Sequence, residues 1–166
     1  MSGAWRTARP EKIELSSAAA DAVAQALSST STRECCGFLV GNQSGATIIV
    51  CSVIEARNAY EFPLAFGISP EEHQRCRLCC PPGEHIVGLY HTHLAHSWPS
   101  ALDIRNMGLY PYVWLVLNHR DKSRTAWRCY VLQGESLREV QINLPNLPAL
   151  VPKPIPAGIN PTEVQP

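Results

Sequence analysis

Residues 86–103 read Ile86-Val-Gly-Leu-Tyr90-His91-Thr92-His93-Leu94-Ala-His96-Ser-Trp98-Pro-Ser100-Ala-Leu-Asp103. The apolar start of this stretch predicts a strand over 84–93, short enough to be buried in a sheet. Alternate strand residues share a face, so His91 and His93 project to the same side, one strand-step apart. Ser100 followed by Asp103 is the local signature of a helix start and predicts a short helix over 100–107. If that helix folds back over the strand end, Asp103 can add an oxygen to the two imidazoles. Three protein ligands with a position left open is the catalytic form of a zinc site. Each half also has a plain structural reading, because His-x-His arises by chance and a Ser-x-x-Asp cap needs no chemistry.

Upstream, Lys12 to Leu15 predicts a short strand. Ser16 or Ser17 can cap a helix whose Ala19, Val23, Ala26 and Leu27 recur at helical spacing, and the Ser/Thr run at 28–32 ends it. Residues 35–40 and 46–54 are apolar and β-branched around Gly41-Asn-Gln-Ser-Gly45, which predicts a hairpin. Ser69-Pro70-Glu71-Glu72 predicts another helix start, with Ser69 as cap, Pro70 in the first turn and Glu72 completing a capping box. Pro81-Pro82 stops that helix. Downstream, strands are expected over 112–118, 125–132 and 137–144. The alternation of these elements, without an internal repeat, predicts an α/β domain built on a mixed β-sheet flanked by helices.

A second motif stands at Glu34-Cys-Cys36-Gly37-Phe-Leu39-Val-Gly41. It places a carboxylate just before an apolar strand, and its glycines permit close approach of another backbone or a ligand. Read alone, Glu34 is a solvated residue before a strand. Taken together, Glu-x-Cys-Gly-x-Leu-x-Gly, His-x-His and Pro-Ser-x-x-Asp resemble the JAMM (MPN-plus) zinc metalloprotease family in its prokaryotic, single-domain form. The resemblance extends through Asn58, through Phe66-Gly-Ile68-Ser-Pro70 and through Asp103-Ile-Arg-Asn-Met-Gly-Leu-Tyr-Pro. It implies a JAMM/MPN core, similar to cytidine deaminases in fold, over residues 11–144.

The resemblance also implies roles. His91, His93 and Asp103 become ligands of one catalytic Zn2+, Glu34 the general acid/base, and Ser100 the residue that steadies the oxyanion. The implied substrate is a ubiquitin-like or sulfur-carrier protein with a Gly-Gly tail, cut after its C-terminal glycine and held by strand addition. The sequence departs from the family pattern in three places: residues 94–99 make the loop one residue shorter than usual, Leu94 replaces the usual proline, and Thr92 replaces a common serine. His96, inside that loop, is the alternative third ligand, although contact with substrate is the expected role for both His96 and Trp98. Two other readings are a metal-free MPN scaffold and a zinc amidase or peptidase acting on small or cell-wall peptides.

Composition narrows the classes further. Fourteen basic residues balance fourteen acidic ones, so general nucleic-acid binding is not expected. The longest apolar runs, such as 112–117, are far short of the ~20 residues that span a bilayer. The first ten residues lack the apolar core of a signal peptide, so the expected location is cytoplasmic. Seven cysteines without an export signal are expected to be reduced thiols, mostly in the core. His73, Cys76 and Cys80 share a predicted helix face and form a candidate second metal cluster. Residues 1–10 are a lead-in. Half of the fourteen prolines fall in 145–166, which reads as a mobile or surface-draped tail that buries little apolar surface. Its loss is therefore expected to leave stability nearly unchanged, unless Leu147, Leu150, Val151 and Ile155 lie across the domain's own groove.

Overall fold

The computed structural model describes residues 8–29, 32–62 and 65–159. Most of the lead-in, the middle of the Ser/Thr run and the last seven residues of the tail lie outside the described residues. Seven strands and three helices follow in the order β1 Lys12–Leu15, α1 Ser17–Ser29, β2 Cys36–Ser44, β3 Thr47–Ala56, α2 Pro70–Leu78, β4 His85–His93, α3 Ala101–Leu109, β5 Val113–Asn118, β6 Arg128–Gln133 and β7 Ser136–Asn143. The expected mixed sheet is present, with helices packed on it. β1 pairs in parallel with both β3 and β7, and β4 in parallel with β5, while the remaining pairings are antiparallel. Closure was not anticipated: the strand order β1-β3-β2-β4-β5-β6-β7 returns on itself as a barrel. Burying the sheet's two edges in the β1–β7 pairing satisfies backbone groups that would otherwise need water.

Two apolar clusters form on the two faces. All seven strands contribute to the first, which includes Ile13, Leu39, Val50, Val87, Leu115, Cys129 and Val140, and α1 packs Ala19, Ala20, Val23 and Leu27 into it. The second collects Phe38, Phe66, Leu89, Trp114 and Val116 with Cys76 of α2 and Ile104 and Met107 of α3. In β4 the alternation is interrupted once. Leu39 pairs with Gly88 and Val40 with Ile86, so Val87 is an extra residue in the ladder. Such a bulge re-aims every side chain that follows it. Ile86 and Leu89 consequently share the second face while Val87 and Tyr90 share the first. His91 and His93 continue the shifted alternation and emerge on the face that carries α3.

Local signals hold where short-range chemistry decides. Ser69 caps α2 by accepting from the Glu72 N–H at 3.2 Å. Glu72 does not close the expected capping box, because its carboxylate accepts from the Arg57 N–H at 2.8 Å and from the Arg75 guanidinium at 2.6 and 2.9 Å. The two bonds from the charged Arg75 guanidinium outweigh the one that the backbone N–H at the cap would offer. The hairpin also turns later than expected: β2 runs to Ser44, and the reversal uses Gly45 at φ 57°. Gly41 lies inside the strand, where a side chain would strike the Ile49 carbonyl. Residues Arg124–Ala126 form a 3-10 turn, so β6 begins later than the expected strand.

The described part of the proline-rich tail is packed against the domain. Leu150 and Ile142 exchange backbone hydrogen bonds of 2.8 and 3.0 Å. The Lys153 N–H donates to Glu139 at 2.8 Å. Leu150 packs against the first cluster, and Ile155 and Ile159 against the second. Proline fixes the backbone beforehand, so few apolar contacts suffice to hold such a segment. Deleting the chain from Pro145 onward should therefore destabilise the domain by about 2 to 3 kcal/mol, from three half-buried aliphatic side chains. That corresponds to a fall of roughly 5–10 °C in thermal midpoint. An unchanged midpoint in a calorimetric scan would return the tail to the non-structural role expected from its composition.

Candidate active site

Four segments meet at the end of β4. Cys36 of β2 pairs with His91, and just beyond the strand the Thr92 N–H donates to the Cys35 carbonyl at 3.0 Å. The Cys35 N–H returns a bond to Thr92 Oγ1 at 2.9 Å. Continuing this antiparallel register brings Glu34 alongside His93. On the other side of β4, His93 is in register with Asn118 of the parallel strand β5, and α3 is the crossover between them. That crossover returns the start of α3 to the strand end, where Asp103 meets the histidines.

The ligand-capable atoms converge. His91 Nε2 lies 2.8 Å from His93 Nε2, and Asp103 Oδ2 lies 3.3 Å from the first and 3.1 Å from the second. All three side chains are buried. Bonds of 2.0–2.1 Å in a tetrahedral zinc site imply ligand separations of about 3.3 Å, so the donor set fits zinc in both kind and spacing. His91 Nδ1 has no hydrogen-bond partner and is buried. Its ring is held by packing instead, stacked on Phe66 at 4.3 Å and edge-on to Trp114 at 5.9 Å. Among the described residues no other group of three metal-binding side chains converges in this way. His73, Cys76 and Cys80 do not form the candidate second cluster: His73 faces Phe38 and the Tyr112 hydroxyl, Cys76 takes a contact from Arg75, and Cys80 points to the Cys76 carbonyl.

Asp103 does two jobs with one oxygen. Oδ2 accepts from the Ser100 N–H at 2.6 Å and the Ser100 hydroxyl at 2.8 Å, while the hydroxyl accepts from the Asp103 N–H at 3.1 Å. This reciprocal box caps α3 and fixes the carboxylate toward the histidines. Burial pushes the Asp103 carboxyl up, but the charges and hydrogen bonds of His91 and His93 outweigh it and hold it well below the usual range. Glu34 is buried beside them. Burial pushes its carboxyl up to about 7, with His93 opposing and Asp103 adding to the shift. A carboxyl poised there suits proton transfer near neutrality.

His96 is not among the converging atoms. Its Nδ1 sits on the opposite side of the His93 ring, 3.0 Å from His93 Nδ1. Trp98 stacks on it, and both side chains face a cavity of about 480 Å³ shared with Arg128, Tyr130, Glu139 and Lys153. Two residues that carry the family resemblance without an expected role also belong to the site. Asn58 donates to the carbonyls of Glu34 and Ala65 and accepts from the N–H groups of Tyr60 and Gly67, which ties the Glu34 backbone to the loop that carries Phe66. Phe66 itself supports His91. Both lie in an aperiodic loop, where neither period-2 nor helical patterning marks them.

The family profile described as prokaryotic homologs of the JAB domain matches residues 16–130. The chain belongs to the prokaryotic JAB-domain (JAMM/MPN) family. A desampylase from Pyrococcus furiosus is 32% identical to this JAB-domain protein over 116 residues, which cover 69% of this chain and 78% of that protein. Three similar solved structures, at 22%, 19% and 19% identity, speak for the fold. A solution structure from Desulfitobacterium hafniense covers 80% of this chain and 92% of its own at a TM-score of 0.68. A JAB1/MPN domain protein from Archaeoglobus fulgidus covers 80% and 97% at 0.53 with 19% identity. One from Salinibacter ruber covers 80% and 92% at 0.56 with 19% identity. The relationship supports a JAMM-family hydrolase, and no helix among the described residues is long and apolar enough to cross a membrane.

Because Ser100 caps α3, its loss should be felt without any substrate. Ser100→Ala should lower the stability of the metal-free JAB domain by about 1 kcal/mol, as read by urea unfolding. An unaltered midpoint would mean that the box contributes nothing to the fold.

Proposed function

We propose that this protein is a zinc-dependent isopeptidase or peptidase that cleaves after the C-terminal glycine of a ubiquitin-like or sulfur-carrier protein. The observation that carries the reading is the convergence of His91 Nε2, His93 Nε2 and Asp103 Oδ2 beside the buried carboxyl of Glu34. The 32% identity to a protein named desampylase supports the substrate class. Zinc, when held by His91, His93 and Asp103, supplies Lewis acidity that makes water a nucleophile near neutral pH. Glu34 takes a proton from the attacking water as its oxygen bonds to the glycine carbonyl carbon. The same carboxyl gives that proton to the departing nitrogen as the C–N bond breaks, leaving an acid and an amine. Ser100 holds Asp103 in the resting site, and rotation of its hydroxyl toward the carbonyl oxygen stabilises the charge that develops there.

Closure of the sheet bears on how a substrate enters. With β1 joined to β7, the edges left for strand addition are short, such as residues 51–56 of β3 beyond its pairing with β1, and an extended tail adds at such an edge or is received by the loops at the β4 end. The cavity beside Trp98 and His96 accommodates chain next to the cut. The scaffold reading leaves the clustered donors without a use, and no observation favours the small-peptide amidase over the modifier protease.

Purified protein should contain one zinc per chain by elemental analysis. Glu34→Gln should keep the metal and lose turnover, while Ser100→Ala should cost less, on the order of 10² in rate. Normal turnover by Glu34→Gln would overturn the mechanism. A modifier fused through Gly-Gly to a short extension should be cut after the second glycine, and Gly→Leu at either position should slow it. If the isolated tail peptide is cut as fast as the fusion to a cognate modifier, the protein is a general peptidase.

A further inference from the structure

His96 lies outside the three converging ligands, yet its position is heavily determined. Its Nδ1 is 3.0 Å from His93 Nδ1 and 3.0 Å from the Trp98 carbonyl oxygen. Its ring lies flat on the Trp98 indole, with centroids 4.6 Å apart and planes 5° from parallel, and stands at 89° to the His93 ring. The stack sets the tilt of the imidazole and the nitrogen contacts set its rotation. His93 is thus braced from behind by a polar atom, whereas the buried His91 Nδ1 faces none.

Proton bookkeeping gives this contact a direction. Two nitrogens 3.0 Å apart share one proton, since two N–H groups or two lone pairs would repel. A metal at His93 Nε2 uses the lone pair of that atom, which places the ring proton on Nδ1. His93 then donates, His96 Nδ1 accepts, and the proton of a neutral His96 ring sits on Nε2. In this state His96 Nδ1 has no proton for the Trp98 carbonyl. The two contacts of His96 Nδ1 therefore call for different tautomers, and metal at His93 chooses between them.

We propose that His96 is a positioning residue: by accepting the Nδ1 proton of His93 it aims His93 Nε2 at the metal position, and its own tautomer follows metal binding. The inference rests on the reading of His91, His93 and Asp103 as the metal site. It also assigns a use to the 94–99 loop, whose residues bring His96 behind a ligand instead of among the ligands.

Zinc affinity, measured by competition with a chromogenic chelator, separates the outcomes. His96→Phe keeps a ring on Trp98 but has no acceptor, and should bind zinc about 10- to 100-fold more weakly, the range for loss of a partner behind a ligand. His96→Asn offers an oxygen near the place of Nδ1 and should restore most of the affinity. Should His96→Phe bind zinc like the wild type, or His96→Asn lose as much as His96→Phe, the positioning role is overturned. Thermal midpoints of the zinc-free variants check their folding. If either variant does not fold, nitrogen-15 spectra of the zinc-loaded wild type decide instead. The expected result is a protonated His93 Nδ1 coupled across the hydrogen bond to an unprotonated His96 Nδ1, and a protonated His96 Nδ1 overturns the proposal. Wild-type protein that takes up no zinc overturns the metal reading itself, whereas zinc held equally by wild type and His96→Phe overturns this inference alone.

Discussion

The backbone pairing of β4 on both sides is the constraint on which the site depends. A strand hydrogen-bonded to β2 and β5 cannot slide or twist freely, so its last residues are held to the precision of the sheet. Each neighbour also delivers a part. β2 brings Glu34 in along the antiparallel ladder, and the crossover to β5 returns α3 with Asp103. The bulge at Val87 then sets which face the histidines occupy. Were the strand to alternate regularly through Val87 with no bulge, His91 and His93 would turn toward the first cluster, away from α3. The placement of three ligand atoms thus follows from one ladder, one crossover and one irregularity.

Asp103 shows how the helix and the chemistry are coupled. The carboxylate oxygen that accepts from Ser100 is the one that faces the imidazoles. A negative charge at a helix start is favourable by itself, because unpaired N–H groups point at it. Held there, it also meets the histidines at little further conformational cost. The local motif Ser-x-x-Asp therefore serves as both a fold signal and a ligand signal, and its two readings describe one structure.

How much of this is legible without coordinates depends on range. Ser69-Pro70 and Ser100 to Asp103 announce their helices because capping involves residues three apart, and α1 shows its buried face through Ala19, Val23 and Leu27. His91 and His93 are legible as a pair because strand alternation is local. Glu34, by contrast, comes into view only through resemblance, since nothing near it states that it will lie beside His93. The β1–β7 closure is invisible for the same reason: parallel pairing leaves no hairpin turn in the sequence. Val87 hides in an apolar run where any residue suits either face. The tail's composition leaves mobile and surface-draped equally open, and only the contacts of Leu150 and Ile155 distinguish them.

The β1–β7 pairing also orders events in time. Lys12 is paired with Gln141, so the first strand waits for about 130 further residues before its second partner exists. At synthesis rates of roughly 5–20 residues per second that interval is on the order of ten seconds. Throughout it, Ile13 and Leu15 have only β3 and α1 for company, and the rest of the barrel interior has an open seam. Contacts this distant in sequence are slow to form, because loop-closure entropy must be overcome before they contribute. The emerging chain is therefore most vulnerable to mispairing just before its last strand leaves the ribosome.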